Sequence, residues 1–235
     1  MKVLSVVCAR SGSKGLKNKC IIKIKDKMVV GYSIEYSISL GENVKTAVST
    51  DIGEVVNYCK TNKIEYIKRD PKLCGDEVKI DDVLIDAIEK KGMDCEYCSL
   101  LYGNIPTRYP EMFRKALGYL EQNKDCDAVM SMQNVGKFNP DWMFDYNANV
   151  IPRRKETHFR RQALPQKMIH DGHTLIFRID SFYKKFKGLI AYNKEYKYSI
   201  FGNKIKPLIT DNIIIDVDSK KDLAIAKAII ASRNL

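Results

Sequence analysis

The chain has 235 residues, of which 45% are hydrophobic, enough to build the core of one large α/β domain. It has no apolar run of about 18 residues, and its short N-terminal apolar stretch ends at Arg10, so we predict no membrane span, no signal peptide and a cytoplasmic protein. The formal net charge is +11, but the lysines are spread along the whole chain, which favours anionic small substrates over a nucleic-acid polymer.

Short apolar runs alternate with segments of helical spacing along the first half of the chain. The predicted strands are 3–8, 44–50, 64–67, 96–102 and 128–132, and the predicted helices are 28–40, 52–60, 76–90 and 110–122. This alternation predicts an α/β fold with a mostly parallel sheet and helices on both of its faces.

The alternation breaks between about residues 137 and 168, where aromatic and basic residues dominate. We interpret 1–235 as a single domain in which 137–168 is an excursion from the sheet that builds a partner surface or covers the site. Beyond the excursion, the sequence predicts strands at 173–178 and 212–218 and an amphipathic helix at 219–232 that Ser219 caps.

The loop that follows the first predicted strand has the sequence ARSGSKGLKNK over residues 9–19. Gly12 and Gly15 can adopt backbone angles that turn consecutive N–H groups toward one anion. Arg10 and three lysines (Lys14, Lys17 and Lys19) add positive charge, so the loop suits a di- or triphosphate. The alternative is a solvated basic turn, because the loop matches neither of the two familiar glycine-rich phosphate motifs.

The second candidate feature is the pair Asp216 and Asp218, which follows an apolar run near the C-terminus. On a strand, alternation places both carboxylates on one face, where they repel each other unless a cation lies beside them. Magnesium prefers carboxylate oxygens together with substrate phosphates. The alternative is that Asp218 starts the last helix and Asp216 faces water.

Four polar residues stand where predicted strands end, namely Arg10, Asp51, Asn104 and Asp218. In open α/β sheets, ligands bind outside the carboxyl ends of the strands, so these positions outline a single cleft. Asp51 either binds a nucleotide or caps the helix that follows it. The cleft requires that residues 10–19 and 216–218 converge, and their separation would remove the proposal.

Three other groups of residues have simpler explanations than a functional site. Arg160 and Arg161 suit carboxylate recognition or a solvated face equally well. The Cys95-x-x-Cys98 pair has no second pair, which favours buried free thiols over zinc. His170 and His173 would point to opposite faces of a strand, which argues against a zinc site.

Four motifs in order resemble the acylneuraminate cytidylyltransferases, the enzymes that make CMP-activated sialic acid and related nonulosonic acids. These motifs are the loop at 9–19, Ser-Thr-Asp at 49–51, Arg-Gln-x-Leu-Pro at 161–165, and the terminal Asp-x-Asp followed by Asp222-Leu223. The resemblance covers nearly the whole chain.

The resemblance implies a Rossmann-like fold, Mg²⁺ as cofactor, CTP and an acidic keto-sugar as substrates, and a homodimer whose excursion reaches into the partner. The implied nucleotide site comprises Ala9, Arg10, Ser11, Gly12, Ser13, Lys19, Asp51 and Asn104. The implied metal ligands are Asp216 and Asp218, which act in catalysis with Arg10 and Lys19. The implied sugar contacts are Tyr102, Arg108, Arg161 and Gln162.

The chain departs from the family pattern at residues 101–108. The family commonly has Leu-Gln-Pro-Thr-Ser-Pro-Leu-Arg there, whereas this chain has Tyr102 in place of the glutamine and keeps only Pro106 and Arg108 of the tail. Cys20 also stands where asparagine is common. Because these changes lie where sugar and base are recognised, they bear on the identity of the sugar more than on the chemistry.

The expected reaction is transfer of CMP from CTP to the anomeric hydroxyl of a sialic-acid-like acid, with release of pyrophosphate, for surface glycan biosynthesis. No general base is evident, and no serine–histidine or cysteine–histidine pair suggests a covalent intermediate. The alternatives are a sister enzyme acting on 3-deoxy-octulosonate, a glycosyltransferase with the same fold, and a non-catalytic protein that binds nucleotides or polyanions.

Overall fold

The structure is a computed structural model that describes residues 2–12, 15–147, 149–152, 160, 163–196 and 198–233. Its strands are β1 (Val3–Ala9), β2 (Lys23–Ile24), β3 (Lys27–Met28), β4 (Val44–Thr50), β5 (Tyr66–Lys68), β6 (Tyr97–Tyr102), β7 (Ala128–Asn134), β8 (Phe144–Asn147), β9 (Asn149–Pro152), β10 (Met168–Arg178) and β11 (Ile205–Ile209). Its helices are α1 (Val29–Ile38), α2 (Gly53–Thr61), α3 (Ile80–Lys91), α4 (Pro110–Gln122), α5 (Ile179–Phe186) and α6 (Lys220–Ser232).

Seven strands form the main sheet in the order β11-β7-β10-β6-β1-β4-β5. All neighbouring pairs are parallel except those of β10, which runs antiparallel to β6 and β7. Helices α1, α2 and α4 pack on one face and α3 and α5 on the other. The prediction of a mostly parallel sheet covered on both faces is confirmed.

Strand β1 lies inside the sheet, between β6 and β4, and both of its faces are apolar. Val3 and Val7 pack into the core on one face, and Leu4 and Val6 pack into the core on the other. This is the pattern expected of a buried parallel strand, in which successive side chains point to opposite faces. Because β1 runs parallel to its neighbour β6, the loop after β1 lies at the same edge of the sheet as the loop after β6.

The C-terminal part of the chain differs from the prediction. Residues 212–218 are not a strand, and the last strand of the sheet is β11, which pairs with β7. Residues 212–218 run instead along the loop after β6, where Val217 N–H donates to the Asn104 carbonyl at 2.9 Å and Ile215 N–H donates to Thr107 Oγ1 at 2.8 Å. The burial expected of the apolar run is wrong for Ile213, which is 57% exposed, and only Val217 of the segment is buried. The neighbour is a loop and offers no ladder of hydrogen bonds.

Smaller differences concern element boundaries. Helix α3 begins at Ile80 rather than at 76, β5 ends at Lys68 rather than at 67, and β10 starts five residues earlier than predicted. The predicted cap of the last helix is confirmed, since the Ser219 hydroxyl accepts the Asp222 N–H at 3.2 Å and the Asp222 carboxylate accepts the Ser219 N–H at 2.8 Å. This capping box fixes the chain directly after Asp218.

Within the predicted excursion, β8 and β9 form an antiparallel hairpin separate from the main sheet. The side chains of Phe144 and Tyr146 on β8 are 59% and 83% exposed. No helix in the described part of the chain combines the length and the apolar character needed to cross a membrane.

A buried histidine lies beneath the sheet edge. His173 on β10 is fully buried, its Nε2 accepts the Tyr109 N–H at 2.8 Å, and its Nδ1 lies 2.7 Å from Thr174 Oγ1. Burial, and then the charges of Arg108 and Arg233, lower the pKa of His173 to about 2. Tyr109 and Thr174 thus occupy both ring nitrogens, so neither nitrogen of His173 is available to a metal.

We predict that acid destabilises the fold through His173. The pKa of His173 is lower in the folded than in the unfolded state. Its contribution to the free energy of unfolding is therefore fully present above about pH 6.5 and falls by up to about 1.4 kcal/mol per pH unit below it. His173→Gln keeps an acceptor oxygen for the Tyr109 N–H but cannot titrate. From pH 7 to pH 5, the free energy of unfolding measured in urea should fall by about 2 kcal/mol more in the parent than in the variant. Equal pH dependence of the two proteins would contradict this account.

Candidate active site

The basic loop and the acidic pair meet in one cleft of about 590 Å³ at the C-terminal edge of the sheet. Its walls include Arg10, Gly15, Lys19, Asn104, Asp216 and Asp218. The two segments on which the predicted cleft depends, 10–19 and 216–218, therefore converge. The position agrees with the general rule that ligands bind outside the carboxyl ends of parallel strands.

Gly15 is the point of closest approach between the two segments. A Cβ atom at this position would lie 2.6 Å from the Asp218 carbonyl oxygen, a distance that real Cβ atoms do not reach. The Lys19 ammonium also forms an ion pair with the Asp218 carboxylate. Only glycine at position 15 lets the basic loop lie against the acidic segment at this distance.

Asp51 holds the basic loop through hydrogen bonds to Ser11. Its carboxylate accepts hydrogen bonds from the Ser11 N–H, at 2.8 Å, and from the Ser11 hydroxyl. Although partial burial alone would raise it, these hydrogen bonds and the charge of Arg69 lower the pKa of Asp51 overall. The alternative role of Asp51 as a helix cap is wrong, because the N-cap of α2 is Ile52.

The remaining loop residues differ in what they can offer a nucleotide. Ala9 is buried in the core at the end of β1, so only its backbone faces the cleft edge. Gly12 has a left-handed φ of 74°, which turns the backbone after the exposed Ser11. Arg10 forms a half-exposed ion pair with Asp76 at 2.7 Å. The predicted contact through Ser13 lies outside the described residues.

Asp216, Asp218 and Asn104 form the acidic side of the cleft. The Asn104 amide donates to the Asp216 carboxylate and lies 3.5 Å from Asp218 Oδ1. Water reaches the Asp216 carboxyl, but burial by the cleft walls, followed by repulsion from Asp218, raises its pKa to about 6. Two carboxylates that repel each other in this way favour a cation between or beside them.

The donor set fits magnesium bound together with a nucleotide. Among the described residues, no group of three or more histidine, cysteine, aspartate or glutamate side chains could hold a metal by itself. Mg²⁺ commonly takes one or two protein carboxylates and completes its shell with phosphate oxygens and water. Asp216 and Asp218 supply that number of ligands beside a loop suited to phosphates.

Arg69 is a cleft residue that the sequence analysis missed. It is only 5% exposed, follows β5, and donates from Nη2 to the Ser49 carbonyl at 2.9 Å and from Nε to Ser49 Oγ at 3.2 Å. Arg69 directly follows a strand, and the same kind of position identified Asp51 and Asn104 from the sequence. Because the predicted strand ended at 67, Arg69 was not recognised as a residue at a strand end.

Arg108 is placed differently from its predicted role as a sugar contact. It is 7% exposed, and its guanidinium donates to the Tyr102 and His173 carbonyls, each at 2.6 Å. Its Nε and Nη2 also lie 3.3 and 3.2 Å from Ser33 Oγ. Because its donors bind protein oxygens beneath the cleft, the structure gives Arg108 a structural role instead.

Tyr102 lines the cleft beside Asn104. It also lines a second cavity of about 450 Å³, and Ile80 is shared by both cavities as well. The other two predicted sugar contacts, Arg161 and Gln162, lie outside the described residues. All seven cysteines are free, and the thiols of Cys95 and Cys98 are buried.

Comparison with known proteins identifies relatives along nearly the whole chain. Residues 4–201 match the family model described as cytidylyltransferase. The chain is 26% identical to the post-translational flagellin modification protein B of Campylobacter coli, over 100% of this chain and 97% of that protein. It is 25% identical to the CMP-N,N'-diacetyllegionaminic acid synthase of Campylobacter jejuni subsp. jejuni serotype O:2, again over 100% and 97%.

The fold is also similar to a solved structure of a CMP:2-keto-3-deoxy-manno-octonic acid synthetase complexed with CTP. The TM-score is 0.75 at 16% identity, covering 99% of this chain and 100% of the other, so the likeness is one of fold. The family model matches most of the chain, and the motifs stand along the chain in the order expected of that family. The chain belongs to the cytidylyltransferase family, and it is a CTP-dependent nucleotidyltransferase.

We predict that Gly15→Ala separates the basic loop from Asp218, because the new methyl group would meet the Asp218 carbonyl at 2.6 Å. The rate of pyrophosphate release from CTP should fall at least about tenfold, the effect of misplacing groups that act in the transition state. The matched control is Gly53→Ala at the start of α2, where a Cβ would meet nothing within 4 Å. Parental activity in Gly15→Ala would show that the close approach is not needed.

Proposed function

We propose that this protein transfers CMP from CTP to the anomeric hydroxyl of a sialic-acid-like nonulosonic acid and releases pyrophosphate, for surface glycan biosynthesis. The observation that carries the proposal is the meeting of the basic loop with Asp216 and Asp218 in one cleft beside a second cavity. The name of the 25% identical relative, a CMP-diacetyllegionaminic acid synthase, supports an acceptor of this class.

The triphosphate binds along the basic loop. Arg10 and Lys19 supply charge, and the backbone N–H groups near Gly12 supply directed hydrogen bonds. Each of these two cations is held by a carboxylate, Asp76 and Asp218 respectively, so each stays oriented toward the cleft. During transfer, they stabilise the negative charge that develops on the leaving pyrophosphate.

Asp216 and Asp218 would hold Mg²⁺. When bound, the metal supplies charge neutralisation at the phosphates and lowers the pKa of the attacking hydroxyl. Asn104 positions the Asp216 carboxylate, and the capping box of Ser219 and Asp222 positions the backbone after Asp218. The chain's own contribution is thus the orientation of reacting groups and of charge.

The acceptor enters the second cavity, which adjoins the nucleotide cleft at Tyr102 and Ile80. From there, its anomeric hydroxyl reaches the α-phosphate beside Asn104 and Asp216. In this arrangement Tyr102 separates the sugar from the nucleotide.

The proposal includes a homodimer in the cytoplasm. Exposed apolar side chains lie in and beside the excursion, and their burial against a second copy would remove them from water; they are Phe138, Met143, Phe144, Tyr146 and Ile169. Seven free cysteines suit a reducing compartment, where CTP is also available.

We predict that Asp218→Asn abolishes turnover while CTP still binds weakly. The substitution keeps the size of the side chain but removes a charge that would hold Mg²⁺. Turnover is measured as pyrophosphate release, and CTP binding by calorimetry with and without Mg²⁺. Asp211→Asn is the matched control, because Asp211 is an exposed aspartate outside the cleft. Full activity of Asp218→Asn would refute the metal role.

We predict that Lys19→Ala reduces transition-state stabilisation by roughly 2–4 kcal/mol, the contribution of one preorganised electrostatic donor. This corresponds to a loss of about 30- to 1000-fold in kcat/KM. Lys17→Ala, in the same loop but outside the cleft walls, is the control. A loss below about tenfold for Lys19→Ala would count against its contact with phosphate.

The experiment that tests the whole proposal is pyrophosphate release with each of the four nucleoside triphosphates and a panel of sugar acids. We expect turnover with CTP and a nonulosonic acid. Preference for 3-deoxy-octulosonate would identify the sister activity, and CTP binding without turnover on any acid would indicate a non-catalytic protein.

A further inference from the structure

The cavity next to the nucleotide cleft is rich in aromatic side chains. Four tyrosines line it, and Ile80, Ile200 and the buried Phe201 complete the apolar part; the tyrosines are Tyr102, Tyr192, Tyr196 and Tyr198. Because Tyr102 and Ile80 also line the nucleotide cleft, a molecule in this cavity lies directly beside the nucleotide.

Tyr198, which lines this cavity, has an unfavourable backbone conformation. Its φ is 73°, in the left-handed region that bulky residues rarely adopt. Among the described non-glycine residues with positive φ, it is the only aromatic one; the others are Asn18, Lys25 and Lys63. Such strain persists only where the surrounding structure enforces it, and it is concentrated at functional sites.

The surroundings of the Tyr198 ring fix its position. The ring packs edge-on against His170 with centroids 5.4 Å apart and lies 6.3 Å from Phe201. Phe201 in turn stacks on Phe182 at 5.5 Å, within the core. These contacts with His170 on β10 and with Phe201 in the core therefore fix the position of the Tyr198 ring.

Tyr102 and Tyr198 face the same space. Burial raises the pKa of the Tyr102 phenol, and the neighbouring Tyr198 raises it further, so Tyr102 stays neutral. We call Tyr102 and Tyr198 the tyrosine wall. The charged lining of the cavity is mixed, with Lys79 and Lys194 beside Asp81 and Glu195, so the aromatic rings rather than net charge distinguish it.

We propose that Tyr198 determines acceptor specificity: the tyrosine wall selects sugar acids that carry acyl-amide groups over sugar acids that carry hydroxyls at the same positions. The methyl of an acyl group gains by burial against an aromatic ring, whereas a hydroxyl placed against the ring loses water without gaining a partner there. One such group changes kcat/KM by roughly 10- to 200-fold. This inference rests on the proposed function and adds the substituents that the acceptor must carry.

The test compares two classes of acceptor on the same preparation of enzyme with CTP. One is an N-acylated nonulosonic acid, the better of N-acetylneuraminic acid and N,N'-diacetyllegionaminic acid, and the other is 3-deoxy-D-manno-octulosonate. We expect the ratio of kcat/KM to favour the acylated acid at least about tenfold. The ratio does not depend on how much of a variant is folded, because both acceptors sample the same active fraction.

Tyr198→Asn removes the ring with a residue that tolerates left-handed backbone angles. We expect it to lower the ratio at least about tenfold by raising KM for the acylated acid while KM for CTP stays unchanged. Tyr198→Phe is the matched control, since it keeps the ring and the ratio. If the ratio is unchanged in Tyr198→Asn, or if the parent enzyme uses the octulosonate equally well, this inference is overturned but the proposed function stands. If CTP binds and no acid is cytidylylated, the proposed function fails and the inference falls with it.

Discussion

The site depends on one close approach between parts of the chain that are about 200 residues apart in sequence. The basic loop can lie against the acidic segment only because Gly15 has no side chain to meet the Asp218 carbonyl at 2.6 Å. The ion pair between Lys19 and Asp218 holds the two segments across the cleft. The Asp218 side chain is 61% exposed, so the close backbone approach at Gly15, more than this ion pair, brings the basic loop and the two carboxylates into one small volume.

The electrostatics of the cleft are unbalanced in a way that favours a bound magnesium nucleotide. Burial and Asp218 together raise the pKa of Asp216, and the charge of Lys19 offsets only part of this effect. On the other side, the ion-pair partners of Arg10 and Lys19 among the described residues are carboxylates of the protein itself. A nucleotide phosphate would pair with these cations and a metal would pair with the carboxylates, which relieves both excesses at once.

The sequence predicted the architecture because its signals are local, and it missed features that depend on distant neighbours. β1 and α4 could be read from apolar periodicity and from Pro110. The segment 212–218 has the same apolar signature, but whether it pairs with a strand or a loop depends on what lies beside it, here Asn104 and Thr107. Arg108 was misjudged for the same reason, because nothing local shows that the carbonyls of Tyr102 and His173 take up its donors.

Arg69 and Arg108 show how the sheet edge itself prepares the site. Both guanidiniums are nearly buried, and among the described residues their hydrogen bonds go to carbonyl and hydroxyl oxygens rather than to carboxylates. Burial lowers the pKa of Arg108 to about 10, which leaves it charged at neutral pH. Taking a guanidinium out of water costs stability unless nearby anions compensate it. Arg69 lines the cleft and its charge helps to lower the pKa of Asp51, so an anionic nucleotide in the cleft would add a further favourable charge beside it.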